Sequence, residues 1–163
     1  MPKSRFCWDA CLFIAHLNGE VRSEEEAAGM REVLELIRTG KAHILTSAVI
    51  SSEVLNRASD AGRARDALHV MLARPGFTVV DANLAIGTKA GEFRERVNYQ
   101  GSPHNLKRND AIYAATASLY GVDALHTFDP DLLDLNGSPL IDFLKVCKPR
   151  GLQTTLALGE SAP

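Results

Sequence analysis

Four acidic residues stand far apart in the chain but at comparable points of its predicted elements. They are Asp9, Glu53, Asp110 and Asp129. Asp9 and Asp129 each follow an apolar run, whereas Glu53 and Asp110 lie near the beginnings of helix-like stretches. Because ligands of an open parallel sheet bind in the crevice outside the carboxyl ends of its strands, we expect the four side chains to gather there. Gathered carboxylates repel one another unless a cation neutralises them, so the leading hypothesis is a divalent-metal site that assists phosphoryl chemistry.

The donor chemistry of these acids indicates the kind of cation. Mg²⁺ and Mn²⁺ prefer hard oxygen ligands, and Mg²⁺ usually takes only one or two carboxylates directly and keeps several waters. The four acids are therefore enough for one ion or for two, and both counts stay open. Taken singly, each acid also has an ordinary structural explanation: Asp9 as a helix cap, Glu53 as a solvated side chain, Asp110 as a first-turn acid on a helix dipole, and Asp129 as a turn residue.

The elements that must position these acids alternate between short β-like runs and longer helical patterns. This alternation is typical of βαβ units and a parallel sheet. The predicted strands cover residues 5–8, 42–45, 77–80 and 122–128, with a fifth at the edge over 143–147. The predicted helices cover residues 10–17, 23–39, 61–73 and 107–120, together with one that begins at Thr46 or Ser47 and carries Glu53, and one that begins at Asp81 or Asn83 and reaches about residue 97.

Composition and charge narrow the class of protein. The chain has 163 residues, of which 45% are apolar and 23% charged, as in an ordinary globular domain. Its net charge of -2 argues against binding to nucleic acid by bulk electrostatics alone, although a local basic patch would still serve. No apolar run approaches the roughly 18 residues of a membrane span. Cys7 and Cys147 lie in apolar runs, which fits reduced thiols in a cytoplasmic protein.

Four segments of the sequence surround the acids. They read FCWDACLFI around Asp9, TSAVISSEVL around Glu53, NDAIYAATA around Asp110 and HTFD up to Asp129. In this order they resemble PIN-domain ribonucleases, and most of all the VapC-type toxins of bacterial toxin–antitoxin pairs. The most specific piece is DAIYAATA followed by LHTFD. The resemblance covers about residues 5–149, so we assign residues 1–150 to a PIN-like domain and 151–163 to a C-terminal tail.

The resemblance implies both a fold and an activity. The fold is α/β, a three-layer α/β/α sandwich with a central, mostly parallel sheet of four to five strands. The activity is cleavage of RNA phosphodiester bonds with Mg²⁺ or Mn²⁺, and the four acids would be the catalytic and metal-binding residues. Thr127 and Asp131 match positions that support the site. The resemblance also implies a cognate antitoxin protein, which would insert a peptide into the acidic cleft, and a homodimer.

One departure from the family pattern opens an alternative. The family usually follows its first Asp with Thr or Ser and then Asn or Ser, whereas Ala10 and Cys11 follow Asp9 here. The side chains that would orient Asp9 or hold water are therefore replaced. The alternative hypothesis is a catalytically degenerate PIN domain that binds RNA or a protein without cutting.

Basic and polar residues near the acids suggest where RNA would lie. Lys107, Arg108 and Asn109 directly precede Asp110, and Arg57 follows Glu53. These side chains are suited to hold phosphates of an RNA strand, as contacts that position the strand without reading its bases.

A third hypothesis is a phosphoacceptor receiver domain. Asp81, Thr127 and Lys148 follow β-like runs and loosely resemble such a site. That site needs a pair of acids after the first strand, and Asp9 stands alone there. The hypothesis also leaves Glu53 and Asp110 without a role.

Overall fold

A five-stranded sheet forms the centre of the protein. The computed structural model describes residues 3–57, 60–100 and 102–151. The strands are β1 (Ser4–Trp8), β2 (Ala42–Ser47), β3 (Phe77–Val80), β4 (Ala124–His126) and β5 (Val146–Cys147). They lie in the order β3-β2-β1-β4-β5, and all four strand pairs are parallel. The predicted α/β class is confirmed, and the sheet is parallel throughout.

Helices cover both faces of this sheet. The described residues form α1 (Ala10–Asn18), α2 (Glu24–Arg38), α3 (Ile50–Arg57), α4 (Ala61–Leu72), α5 (Leu84–Tyr99), α6 (Arg108–Leu119) and α7 (Pro130–Leu133), with a 3₁₀ helix at Pro139–Ile141. Helices α1 to α4 connect β1 to β2 and β2 to β3, while α5 and α6 return the chain to β4. Because parallel crossovers are right-handed, these two sets lie on opposite faces and form the predicted three layers. Helix α6 packs on β1, β2 and β4, and α2 packs on β2.

The strand order of the sheet reverses between β1 and β4. From β1 the chain adds β2 and β3 on one side, and it then crosses over to add β4 and β5 on the other. The register pairs Trp8, the last residue of β1, with His126, the last residue of β4. The residues that follow these two strands therefore leave the sheet at the same level. In open α/β sheets this switch point is where ligands bind.

The core explains why β1 is so apolar. Phe6, Cys7 and Trp8 are fully buried because helices cover both faces of the strand. The indole nitrogen of Trp8 donates a hydrogen bond to Nδ1 of His126 at 3.2 Å, and the His126 ring stacks on Phe6 with 4.4 Å between ring centroids. Burial lowers the pKa of His126 to about 3, so this histidine is neutral and belongs to the core. Four fully buried alanines of α6 let that helix lie close to the sheet: Ala111, Ala114, Ala115 and Ala117.

Several predicted boundaries need correction. Strand β2 continues through Thr46 and Ser47, which pair with Val79 and Val80 of β3. The Thr46 hydroxyl donates to the carbonyl of Trp8 at 2.9 Å and caps no helix, whereas the Ser47 hydroxyl accepts from the amide of Val49 at 3.5 Å. The strand predicted over 122–128 is only Ala124–His126, since the Val122 amide still donates to the carbonyl of Ala117 at the end of α6.

The region after β4 also differs from the prediction. The strand predicted over 143–147 shortens to Val146–Cys147, because Phe143 has a φ of 59° and completes the turn that follows the 3₁₀ helix. Helix α7 was not predicted, although Asp129 caps it and Pro130 begins it. The division of the chain at residue 150 stays a prediction, because residues 152–163 of the tail lie outside the described residues. Within the described part, no helix has the length and apolar character to cross a membrane.

Candidate active site

Asp9 lies directly after β1, at the switch point of the sheet. Its side chain is 3% exposed and caps α1, with Oδ1 accepting from the amide of Cys11 at 3.1 Å. The Thr127 hydroxyl donates to Oδ2 at 2.5 Å. Burial raises the pKa of Asp9 to about 6, although hydrogen bonds from the Cys11 thiol, the Thr127 hydroxyl and the Leu12 amide oppose the rise. The helix-capping role that the sequence allowed for Asp9 is therefore confirmed.

The turn after β4 brings the fourth acid to the same place. The hydroxyl of Thr127, which is fully buried, accepts a hydrogen bond from the amide of Asp129 at 2.9 Å while it donates to Asp9. Asp129 caps α7 by accepting from the amide of Asp131 at 2.9 Å. Thr127 thus connects the loops after β1 and β4, as a supporting residue would. Asp131 contributes its amide to the loop, and its own carboxylate is 55% exposed.

Asp110 interacts electrostatically with the other three acids. It lies in the first turn of α6. Burial raises its pKa to about 7, and repulsion from Asp129 and then Asp9 adds to the rise, with a smaller contribution from Glu53. Lys107 opposes the rise. Asp110 thus lies within electrostatic range of Asp129, Asp9 and Glu53.

Glu53, on α3, has a hydrogen-bond partner that the sequence did not reveal. The phenol of Tyr113, on α6, donates to Oε2 of Glu53 at 2.8 Å. Tyr113 is fully buried, and burial followed by the charge of Glu53 raises the pKa of its phenol, which keeps it protonated. The spacing of three residues between Asp110 and Tyr113 puts both on one face of α6, and this spacing was the available signal.

Cys11 occupies the position where the departure from the family pattern was noted. Its Sγ donates to Oδ1 of Asp9 at 2.7 Å and accepts from the amide of Phe128 at 3.2 Å. Burial, and then the charge of Asp9, raise the pKa of the Cys11 thiol, so it stays protonated and able to donate. The expectation that this side chain leaves Asp9 unsupported is wrong, because the thiol takes the place of a hydroxyl as a donor to Asp9. Ala10 is buried and makes no such contact.

The basic residues predicted to hold RNA have different surroundings. Lys107 forms ion pairs with Asp129 at 3.0 Å and with Asp131 at 3.5 Å. Arg108 is exposed and Asn109 is half-buried at the start of α6. Arg57 is exposed and lines a cleft of about 500 Å³ between α1, α3 and α4, four residues after Glu53 on the same helix.

The donor set fits a hard divalent cation in chemical type. All four candidate ligands are carboxylates, and the raised pKa values of Asp9 and Asp110 reflect burial and repulsion that a bound cation would relieve. Within the described ranges, no three His, Cys, Asp or Glu side chains converge on one point as direct metal ligands.

The receiver-domain hypothesis does not agree with this geometry. Asp81 is exposed and follows β3, the edge strand, which lies two strands away from β1. Neighbouring strands are about 4.8 Å apart, so Asp81 leaves the sheet about 10 Å from the strand that carries Asp9. The acids gather around β1 and β4 instead.

Comparisons with known proteins agree with the fold. Residues 6–137 match the family described as PIN domain. VapBC2 from Rickettsia felis, solved with a DNA fragment from its promoter, superposes with a TM-score of 0.65 at 15% identity, over 87% of this chain and 96% of that one. VapC20 from Mycobacterium tuberculosis, a toxin that cleaves the sarcin-ricin loop, superposes with a TM-score of 0.56 at 17% identity, over 77% of this chain and 91% of that one. No curated protein matches the sequence. At these identities the two structures show a common fold.

Proposed function

This chain belongs to the PIN domain family, and we propose that it is an endoribonuclease that hydrolyses phosphodiester bonds of RNA with Mg²⁺ or Mn²⁺. The observation that carries the proposal is the electrostatic coupling of Asp110 to Asp129, Asp9 and Glu53 near the switch point of the sheet, where burial and repulsion raise the pKa values of Asp9 and Asp110. Carboxylates that the fold holds near one another repel each other, and a bound cation relieves this repulsion.

The acids have separable roles in this proposal. Thr127 and Cys11 hold Asp9 from two sides, so Asp9 supplies a carboxylate of fixed orientation. Asp110 reaches the site from α6 and Glu53 from α3, while Asp129 comes from the loop after β4. A bound divalent cation would activate water and neutralise the charge that develops on the phosphate. The protein's part is to hold these carboxylates around the reacting phosphate.

The substrate strand would be positioned by basic residues on two sides of the acids. Arg108 and Asn109 lie at the start of α6, and Arg57 lines the cleft beyond Glu53. Lys107 would exchange its contact with Asp129 for a phosphate once a cation neutralises the acids. Contacts of this kind fix the path of the strand and make binding salt-dependent. Arg57→Glu should raise KM and flatten the salt dependence, whereas Arg65→Glu on α4, which pairs with Asp66, serves as the matched control.

We also propose that the protein is the toxin of a toxin–antitoxin pair. The shared fold with VapBC2 and VapC20 supports this role. A cognate antitoxin would insert a peptide into the acidic cleft and present a cation there, and the toxin would form a homodimer. Induced expression should arrest bacterial growth, and the Asp110→Asn variant should not. Growth arrest by both proteins alike would show that toxicity does not depend on the acid site.

A binding module without catalysis is the second candidate. The absence of three converging ligands among the described residues favours it, as does Ala10, which has no polar side chain where the family usually carries Thr or Ser. Cleavage of a mixed pool of single-stranded RNA separates the two candidates. The nuclease predicts products with Mn²⁺ or Mg²⁺ and none with EDTA. A folded protein that binds Mn²⁺ only at millimolar concentrations and leaves sarcin-ricin loop RNA and the mixed pool intact would support the binding module.

A further inference from the structure

A hydrogen bond joins the helix that carries Glu53 to the helix that carries Asp110. The Tyr113 phenol on α6 donates to Oε2 of Glu53 on α3 at 2.8 Å, across 60 residues of chain. Tyr113 has no exposed surface, and Glu53 is half-buried. In the described part of the protein, Oε1 of Glu53 has no hydrogen-bond partner, so one carboxylate oxygen is held and the other is free.

The tyrosine is the fixed partner of this pair. Its ring is fully buried on the helix that packs against β1, and its backbone carbonyl lies 3.8 Å from Sγ of Cys7 within that strand. A buried ring in a close-packed core has one orientation. A glutamate side chain has three rotatable bonds and more freedom, so the position of the phenol determines where the carboxylate of Glu53 lies.

We propose that Tyr113 is a positioning residue that holds Oε2 of Glu53 and so leaves Oε1 available to the cation site of the acids, directly or through a water. This inference rests on the proposed metal-dependent function. Tyr113 lies on the same side of α6 as Asp110, and the pattern of acids alone does not identify it. Loss of partners that orient metal ligands commonly reduces metal affinity or activity by about 10- to 100-fold.

Two opposing effects decide the sign of the prediction. The phenol withdraws charge from the carboxylate, which weakens its attraction for a cation. It also removes the need to immobilise a flexible glutamate when the cation binds. Because the bonded oxygen and the free oxygen are different atoms, the phenol does not compete for the ligand position. Orientation therefore dominates, and removal of the phenol weakens cation binding.

The test compares Tyr113→Phe with Tyr120→Phe. Both variants remove a phenolic hydroxyl: Tyr113 lies within α6, and Tyr120 caps the C-terminal end of the same helix. Tyr120 is 40% exposed and, among the described residues, has no hydrogen bond to Glu53. Trp8 is the only tryptophan and directly precedes Asp9, so quenching of its fluorescence by Mn²⁺ reports binding without RNA. We expect Tyr113→Phe to raise the half-saturating Mn²⁺ concentration by about tenfold or more and Tyr120→Phe to leave it unchanged.

A double-mutant cycle shows whether Tyr113 acts through Glu53. Adding Tyr113→Phe to Glu53→Gln should change Mn²⁺ affinity less than twofold, because the carboxylate that the phenol orients is already gone. Unchanged affinity in Tyr113→Phe, an equal loss in the Glu53→Gln background, or no Mn²⁺ binding by the wild type would each overturn the inference. Weakened Mn²⁺ binding in Tyr113→Phe together with a wild type that cuts no RNA would support the inference and refute the nuclease.

Discussion

Replacement of Thr127 by valine removes the hydroxyl that connects two of the acids. This hydroxyl donates to Oδ2 of Asp9 at 2.5 Å and accepts from the amide of Asp129 at 2.9 Å. Valine has nearly the same shape, so the change removes both hydrogen bonds without opening a cavity in a position that has no exposed surface. The effect on stability therefore measures the hydrogen bonds themselves.

The magnitude follows from the burial of each partner. A hydrogen bond to a charged group contributes about 1.5–3 kcal/mol, and one between neutral groups about 0.5–1.5 kcal/mol. Asp9 is 3% exposed, so water replaces the first bond poorly, whereas Asp129 is half-buried and its amide can be hydrated in part. We expect Thr127→Val to lower the free energy of unfolding by about 3 kcal/mol. At about 2–4 °C per kcal/mol, the Tm falls by roughly 6–12 °C.

The same change should alter how metal binding depends on pH. The Thr127 hydroxyl is one of the groups that hold the pKa of Asp9 down against burial, which raises it to about 6. Without this donor the pKa rises further, so Asp9 carries a proton over more of the neutral range and competes less well for a cation. Mn²⁺ binding by Thr127→Val should therefore lose more affinity between pH 8 and pH 6.5 than binding by the wild type.

The assay is urea unfolding at pH 8 followed by Trp8 fluorescence, with Mn²⁺ titrations at both pH values. Thr127→Ser is the matched control, because it keeps the hydroxyl and loses one methyl group. A valine variant as stable as the serine variant would refute the view that this hydroxyl fixes Asp9. A valine variant that is less stable but has the wild-type pH dependence of Mn²⁺ binding would refute the electrostatic part of the reasoning alone.

Three further predictions test the surroundings of the acids. Cys11→Ser should keep a donor to Asp9 and wild-type Mn²⁺ affinity, whereas Cys11→Ala should bind Mn²⁺ up to about tenfold more weakly; equal affinities would contradict the assigned contact. Lys107→Met removes the ion pair with Asp129, so half-saturation should occur at a Mn²⁺ concentration lower by up to about fivefold, and an unchanged value would show that the lysine does not compete with the cation. His126 binds a proton near pH 6.5 when unfolded but only near pH 3 when folded, so acidification below pH 6.5 favours the unfolded chain, by about 3 kcal/mol at pH 4. Between pH 7 and pH 4, protonation of Asp9 and Asp110 affects the wild type and His126→Gln alike, so the effect of His126 is the difference between the two proteins. The free energy of unfolding by urea should fall by about 3 kcal/mol in the wild type relative to His126→Gln over this pH range, and equal changes in both proteins would contradict the assignment.

The positions of the acids were predictable where a strand end determines them. Asp9 and Asp129 follow β1 and β4, and the carboxyl ends of parallel strands meet at one edge of the sheet. Asp110 was predictable for a related reason, because the first turn of a helix on a parallel sheet lies near that edge. The apolar runs were sufficient to locate these three acids without knowledge of side-chain packing.

The partners of the acids were not predictable in the same way. The bond between Tyr113 and Glu53 depends on how α6 and α3 lie relative to each other, which no local pattern determines. The role of Cys11 was misjudged because residue type alone suggested a lost polar group, whereas the folded loop places its thiol between Asp9 and the amide of Phe128. The predicted limits of β4 and β5 were too long because the apolar residues of these strands continue into the neighbouring turns, and tertiary contacts rather than local sequence determine where those turns begin.

The measurement that most directly tests the central claim compares Asp110→Asn with Asp66→Asn for cleavage of single-stranded RNA in Mn²⁺. Both changes remove one carboxylate charge, but Asp66 is exposed on α4 and pairs with Arg65. Asp110→Asn should abolish cleavage and also unfold at a higher temperature above pH 7, because the Asp110 carboxylate, whose pKa is raised to about 7, destabilises the fold once it is charged. Asp66→Asn should cleave like the wild type. Full cleavage by a folded Asp110→Asn variant would contradict the assignment of the acid cluster as a metal-dependent nuclease site.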